Sequence, residues 1–353
     1  MTRYEQRLER DLAQIKKQFA ETAQFVEAAI ANGVRSVLTL DRELATNTIL
    51  GDYAVNRMTR DMDRLCHTFV ARHLPSAGHL RFVSSVLRLG IALERIGDYA
   101  ATISRTALQL STMAPQMVAR DIEMMVEHAC RVLHDASRSF NKGDVALARD
   151  TLALAARLMP TNDKVVADLI REGEQHSRPV NDLFGLMATL NRLERVIHQA
   201  KNVCEETLFT VAGESKDEKV FEVLFLDERN EGASQLAEQV ARKAYPESGR
   251  YRSAGWNPAQ RVDPAYVGFG DQNGFDLRDA WPASMQALVA HLEEFNIIVD
   301  MDGRGREHLG AVPFHTVVVR WDVDAGAGPA AVHKQVAPLV SELMERLRGA
   351  NAR

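Results

Sequence analysis

The stretch "VLFLDERNEGASQLAEQVARK", residues 223–243, decides the class of the C-terminal half. It opens on an unbroken apolar run, crosses a short polar loop and continues with helical spacing from Ser234. A continuous apolar run feeding a helix is the pattern of a strand buried on both faces of a parallel sheet. Such a turn directs backbone N–H groups and the helix N-terminus at the centre of the loop, which favours an anion. Yet the loop carries Asp227, Glu228 and Glu231 against the single cation Arg229. The backbone invites an anion that the side chains oppose.

Working outward, apolar segments at 220–226, 249–253, 295–300 and 314–320 read as strands. Those at 234–245, 282–293 and 330–348 read as helices. Their alternation makes residues 220–348 a small parallel-sheet α/β domain. Polar "VAGESKDEK" (211–219) precedes it, and 212–219 is expected to be a linker. In "VDMDGRGRE", Asp300 and Asp302 stand at alternate positions; a strand end entering a glycine turn is favoured over a cation site. Trp256, Trp281 and Trp321 read as packing residues.

Upstream the texture is different. Residues 1–211 contain only Pro75, Pro115, Pro160 and Pro179, and the long stretches between them repeat apolar residues at helical spacing. Six helices are expected, near 4–33, 35–73, 78–111, 117–141, 144–172 and 178–211, with "NKGD" (141–144) supplying a glycine stop and an aspartate start. A slide of 100 residues places "LERVIHQA" on "LERIGDYA": Leu193 on Leu93, Glu194 on Glu94, Arg195 on Arg95, Ala200 on Ala100. The half therefore reads as two three-helix units, 1–112 and 113–211, forming antiparallel bundles.

Within the first unit, positions 83, 87, 91, 94 and 98 share one side of a helix, so Glu94 and Asp98 extend the line of Val83, Leu87 and Ile91. Carboxylates beside an apolar stripe need solvent, a partner or a cation. Asp52 and Asn56, also i,i+4 on the preceding helix, could complete a set of hard oxygen donors for a divalent or iron ion. The competing reading pairs Glu94 with Arg57, Arg60 or Arg64. In the second unit Glu194 and His198 repeat the register, Asp163 stands where Asp52 would fall, and Ala167 replaces Asn56.

The bulk numbers exclude several classes. A 353-residue chain points to two or three domains. With 46% hydrophobic and 26% charged residues and a net charge of −5, it is ordinary globular protein with no mark of a nucleic-acid partner. No apolar run approaches the ~20 residues of a membrane span, and "MTRYEQRLERDLAQIKKQF" lacks a signal-peptide core. Cys66, Cys130 and Cys204 are scattered and odd in number, as expected in a reducing cytoplasm.

On the doubled three-helix unit, its length, and "ELATNTILGDYAVNRM" ahead of "LERIGDYAATI", residues 1–211 resemble the PhoU family of phosphate-transport regulators. That family carries an acidic E-x-x-x-D motif in each unit, associated with bound metal. Here Glu94 and Asp98 keep the motif, while Glu194 and His198 carry it with histidine in place of aspartate. The resemblance implies a cytoplasmic, dimeric adaptor. Such an adaptor relays phosphate status between a phosphate ABC transporter ATPase and a phosphate-sensing histidine kinase, peripheral to the membrane complexes.

Residues 220–348 resemble the low-molecular-weight protein tyrosine phosphatase and arsenate reductase superfamily. Its frame C-x-x-N-x-x-R-S falls on "DERNEGAS", and "YRSAGWNPAQRVDPAYV", "NGFDLRD", "NIIVDMD" and "VVVRWDVDAG" follow in order. Asn230 and Ser234 match the frame. The nucleophile position holds Asp227 and the clamp position Ala233, and "MDGRGRE" supplies no further cysteine. Asp324 lies nearest the general-acid position, without its proline. The chemistry of the family needs a thiolate and a bidentate guanidinium. The expectation is a catalytically dead pseudophosphatase retained for binding or structure, with Asp227 accepting the loop N–H groups itself. The rival reading is an active phosphatase or arsenate reductase with a helical regulatory half.

Overall fold

A computed structural model describes residues 2–158, 169–171, 173, 178–214, 219–313, 315–349 and 352–353. The chain divides into two compact units, Met1–Lys216 and Asp217–Arg353. Asp163, Ala167 and residues 215–218 of the expected linker lie outside the described residues.

The first unit is built of long helices: α1 (Arg3–Thr39), α2 (Arg42–His73), α3 (Ala77–Gln109), α4 (Gln116–Lys142), α5 (Val145–Leu158) and α6 (Val180–Ala212). Their buried residues recur every three or four positions, as Ile15, Phe19, Ala23, Val26 and Ile30 do on α1. The expected break at residue 34 does not occur. Gly33 is a packing glycine, where an added Cβ would lie 3.0 Å from the Ala100 carbonyl on α3. The chain turns instead at Leu40 (φ 55°), and the Asp41 carboxylate accepts the Leu44 N–H at 2.9 Å to start α2. The Gly143 stop and Asp144 start stand as expected: Gly143 has φ 68°, and Asp144 accepts from Leu147 N–H at 3.0 Å.

α3 packs on α1, α2 and α6, and α4 packs on α1, α5 and α6. Every buried residue of α6 stands 100 positions after a buried residue of α3, from Asp182 on Phe82 to Thr207 on Ala107. The repeat thus conserves which face is buried.

A buried carboxylate fixes one end of this bundle. Asp182 is 1% exposed and accepts four hydrogen bonds, from the backbone N–H and hydroxyl groups of Ser111 and Thr112, at 2.7–3.0 Å. Burial, the largest influence, pushes its pKa up, but the four donors together outweigh it and hold it below the ordinary carboxylate value.

The second unit is a four-stranded parallel sheet in the order β2-β1-β3-β4. Its strands are β1 (Phe221–Asp227), β2 (Gly249–Gly255), β3 (Ile297–Asp300) and β4 (Val317–Arg320); its helices are α7 (Ala233–Ala244), α8 (Pro264–Asn273) and α9 (Pro329–Arg348). Val223 and Phe225 pack with Leu236, Trp321 and Val336 on one face, while Leu224 and Leu226 pack with Phe295 and Ile298 on the other. The apolar run of β1 therefore supplies both cores through the two-residue period of a strand.

Two readings are corrected. Residues 264–273, which lie outside the expected strands and helices, form α8, started by the Asp263 side chain on Ala265 N–H (2.8 Å) and by Pro264 in the first turn. Residues 282–293, taken as one helix, form two 3₁₀ segments, Met285–Ala287 and Val289–Glu294, with non-helical backbone at His291. Their start is drawn against the sheet, where Gly255 N–H donates to the Ala283 carbonyl at 2.9 Å.

Candidate functional sites

The first candidate site lies on α2 and α3. The line through Val83, Leu87 and Ile91 does not remain apolar and buried. Val83 is buried, Leu87 half-buried, Ile91 exposed at 53%, and Glu94 and Asp98 are exposed. The buried face of α3 runs instead through Leu89, Leu93, Ile96 and Ala100. The two carboxylates thus stand on the outer rim, open to solvent.

Asp52 is the carboxylate that burial does affect. It is half-buried and packs over Gly97 of α3, where an added Cβ would approach its Oδ1 to 3.2 Å. Oδ2 accepts a long hydrogen bond from Asn56 Nδ2 (3.4 Å), while Oδ1 is buried with no hydrogen-bond partner. Burial first, then the negative charge of Asp98, raises its pKa, and Arg105 and Asn56 only partly offset them. Two of the three proposed arginine partners are engaged elsewhere: Arg60 donates to the Asn56 carbonyl at 2.9 Å and Arg64 pairs with Asp61. Asp52, Asn56 and Asp98 are brought together across two helices, with Glu94 one turn from Asp98. Among the described residues no three His, Cys, Asp or Glu side chains converge into a closed cation cage.

The second copy is different. His198 Nε2 stands 3.7 Å from Glu194 Oε1, and both line a groove with Arg192 and Arg195. Arginine and histidine beside the glutamate make this surface mixed in charge, less suited to a hard cation than the first.

The second candidate site is the loop after β1. Parallel pairing sets Asp227 opposite Gly255 of β2. Glycine is required there, since a Cβ would lie 2.7 Å from the Glu228 carbonyl. The loop is held from outside: the carbonyls of Glu228, Arg229 and Glu231 each accept at 2.8 Å, from the N–H groups of Asn257, Ala259 and Asp263. Asn230, fully buried at φ 48°, is its internal brace. Its Nδ2 donates to Ser234 Oγ at 2.8 Å, and its Oδ1 accepts from Gln235 Nε2 (2.9 Å) and Ala283 N–H (2.7 Å).

Asp227 occupies the interior. Its Oδ1 accepts the Asn230 N–H at 2.6 Å and its Oδ2 the Ser234 N–H at 2.9 Å. Burial raises its pKa, opposed by the hydrogen bonds from Ser234 and Asn230. The cavity of about 230 Å3 in front of it is also lined by Glu228, Glu231, Asp263 and Asp302. Its two arginines are committed: Arg229 to Glu231 at 2.5 Å and Arg304 to Glu228 at 2.6 Å. Tyr266 forms a wall, its hydroxyl pushed up to about 12 by burial and then by the nearby carboxylates, Asp227 first. Ala233 is the first residue of α7 and brings no charge to the cavity.

Asp324 is exposed and caps a short turn, accepting from Gly326 N–H at 3.1 Å. Asp300 is the turn anchor expected of it, accepting from Gly303 N–H at 3.0 Å and Arg306 N–H at 3.3 Å. Trp321 is buried and Trp256 stacks on His308, but Trp281 is 74% exposed, contrary to a packing role. Sequence reasoning missed Arg304, which reaches Glu228 across 76 positions and carries no local signal. It also missed Gln235 and the Ala283 amide. No thiol substitutes for the absent nucleophile. The three cysteines lie in the helical unit, and burial pushes each of them up to about 12. No helix among the described residues is long and apolar enough to cross a membrane.

Comparison with known proteins matches residues 19–107 to the PhoU domain. The chain is 28% identical over 204 residues to the phosphate-specific transport system accessory protein PhoU of Serratia marcescens, covering 58% of this chain and 84% of that protein. The crystal structure of PhoU from Pseudomonas aeruginosa superposes with a TM-score of 0.56 at 24% identity, covering 58% of this chain and 99% of that one. An arsenate reductase in the phosphate-binding state aligns with 36% of this chain and 99% of its own, at 19% identity and a TM-score of 0.31. The chain is therefore a PhoU-like helical bundle followed by a parallel-sheet α/β domain.

Proposed function

We propose that the chain is a regulator of phosphate uptake and phosphate-starvation signalling that works through protein contacts. What supports this most directly is the helical unit, which shares the PhoU bundle and carries Asp52, Glu94 and Asp98 on α2 and α3. Its partners on this reading are a phosphate ABC transporter ATPase and a phosphate-sensing histidine kinase, met in the cytoplasm by a homodimer. Asp52, Asn56, Glu94 and Asp98 would hold a divalent or iron cation, whose charge would neutralise the Asp52 oxygen that lacks a protein partner. Glu194 and His198 would at most add a weaker second site.

The α/β domain is a non-catalytic partner on this reading. Phosphoryl or arsenate chemistry on this frame needs a low-pKa thiolate and an arginine clamp, and Asp227 and Ala233 stand in their places. A deletion strain scored for phosphate-starvation gene expression tests the regulatory role, with repression expected to return on expression of the full chain. Failure of the full chain to restore repression would sink it. Phosphate-ester turnover by the purified chain, abolished by Asp227→Ala, would overturn the non-catalytic reading. Metal analysis of the protein against the Glu94→Ala/Asp98→Ala double variant tests the cation: equal content in both counts against it.

A further inference from the structure

We propose that the loop after β1 is closed from within: the Asp227 carboxylate is a resident anion that takes the place a ligand would occupy and excludes phosphate. This rests on the non-catalytic reading of the domain and specifies what fills the loop. Both carboxylate oxygens are engaged, one by Asn230 N–H at 2.6 Å and the other by Ser234 N–H at 2.9 Å at the start of α7. These are the donors that a loop opening onto a helix N-terminus offers an anion. The carboxylate is covalently tethered to the end of β1, so it competes without the entropy loss that a free ligand suffers on binding. A phosphate would have to displace it and then sit beside Glu228, Glu231 and Asp302, with Arg229 and Arg304 already paired.

The retained and lost residues then fall into two groups. Asn230 and Ser234 hold the loop in shape, through the Asn230–Ser234, Gln235 and Ala283 hydrogen bonds. The positions filled by Asp227 and Ala233 no longer bind or attack an outside group. The consequence is that any phosphate response of this protein arises outside the loop.

All three tryptophans lie in the α/β domain, so tryptophan fluorescence of the full chain follows that domain alone. Asp227→Ala is expected to lower the tryptophan transition by roughly 10 °C, as loss of two charge-assisted hydrogen bonds implies. Sodium formate, compared with chloride at equal ionic strength, should restore part of that loss in Asp227→Ala and leave wild type and Asp324→Ala unmoved. Inorganic phosphate should leave the wild type unmoved. Asp227→Asn keeps the side-chain volume but turns a donor toward one of the two N–H groups. Amide exchange at Asn230 and Ser234 should accelerate at least ~10-fold in that variant. Stabilisation of the wild type by phosphate overturns the proposal. So does formate that fails to stabilise Asp227→Ala beyond chloride, or exchange that Asp227→Asn leaves unchanged. Should Asp227→Ala not fold, the phosphate and exchange measurements still decide.

Discussion

Asp52 and Asp227 are both aspartates whose pKa burial raises, and they are in opposite situations. Asp227 has a backbone N–H on each oxygen. Asp52 has one weak amide contact, an oxygen with no partner, and the negative charge of Asp98 nearby. The first carboxylate acts as a ligand for its own fold. The second has an oxygen that its own fold leaves unsatisfied. Burial alone therefore does not identify a binding site; the partners on each oxygen do.

Asp182 marks the fully satisfied end of this comparison, and its removal should have the largest effect. Asp182→Ala leaves the amides of Ser111 and Thr112 without their acceptor and should destabilise the helical unit by about 3 kcal/mol in denaturant unfolding. The acid limb follows the same logic. The folded pKa of Asp182 lies below its ordinary value of 3.8, so its contribution is complete above that value and is lost as pH falls through the folded one. Equal pH dependence in wild type and Asp182→Asn below pH ~4 would contradict this.

The sharpest test sets two identical substitutions against each other. Asp227→Asn should destabilise the α/β domain by roughly 2 kcal/mol, because an amide nitrogen cannot accept from Asn230 or Ser234. Asp52→Asn should stabilise the metal-free helical unit by about 0.5 kcal/mol, because it removes a repelled, half-buried charge. For Asp52 the folded pKa is raised, so protonation favours the fold, and its contribution is lost as pH rises through the folded pKa. Opposite signs, read by chemical denaturation with domain-specific probes, uphold the contrast. Equal signs erase it.

The smallest expected effect is electrostatic. Asp98→Asn should bring the Asp52 pKa part of the way back toward 3.8, measured by carboxyl NMR titration, with the burial contribution left in place. An unmoved Asp52 pKa would mean that the two side chains do not share a site.

Much of the architecture was legible in one dimension. The 100-residue slide between "LERIGDYA" and "LERVIHQA" located the repeat, because the same buried positions recur in both helices. The apolar run of β1 announced a two-sided sheet, because both faces are covered. The departures at 227 and 233 were plain, because they change residue type. At two of the places where the reading failed, a long-range contact was responsible. The expected gap at residue 34 is continuous helix, because Gly33 beside it packs against Ala100 on α3. Residues 282–293 looked helical and are pinned to the end of the sheet through Gly255.

Alone, the sequence determined the two-part organisation, the repeat, and the absence of a thiol at position 227 and of a guanidinium at position 233 of the anion loop. These follow from spacing and residue identity, which need no coordinates. Only the tertiary structure decided that Ile91, Glu94 and Asp98 stand outside the buried face of α3, that Asp52 has a buried oxygen without a partner, and that Asp227 has none. Those outcomes depend on which atoms approach one another from distant positions or around a folded loop. A carboxylate in a sequence carries the same charge whether its oxygens end in amides, water or an empty coordination position.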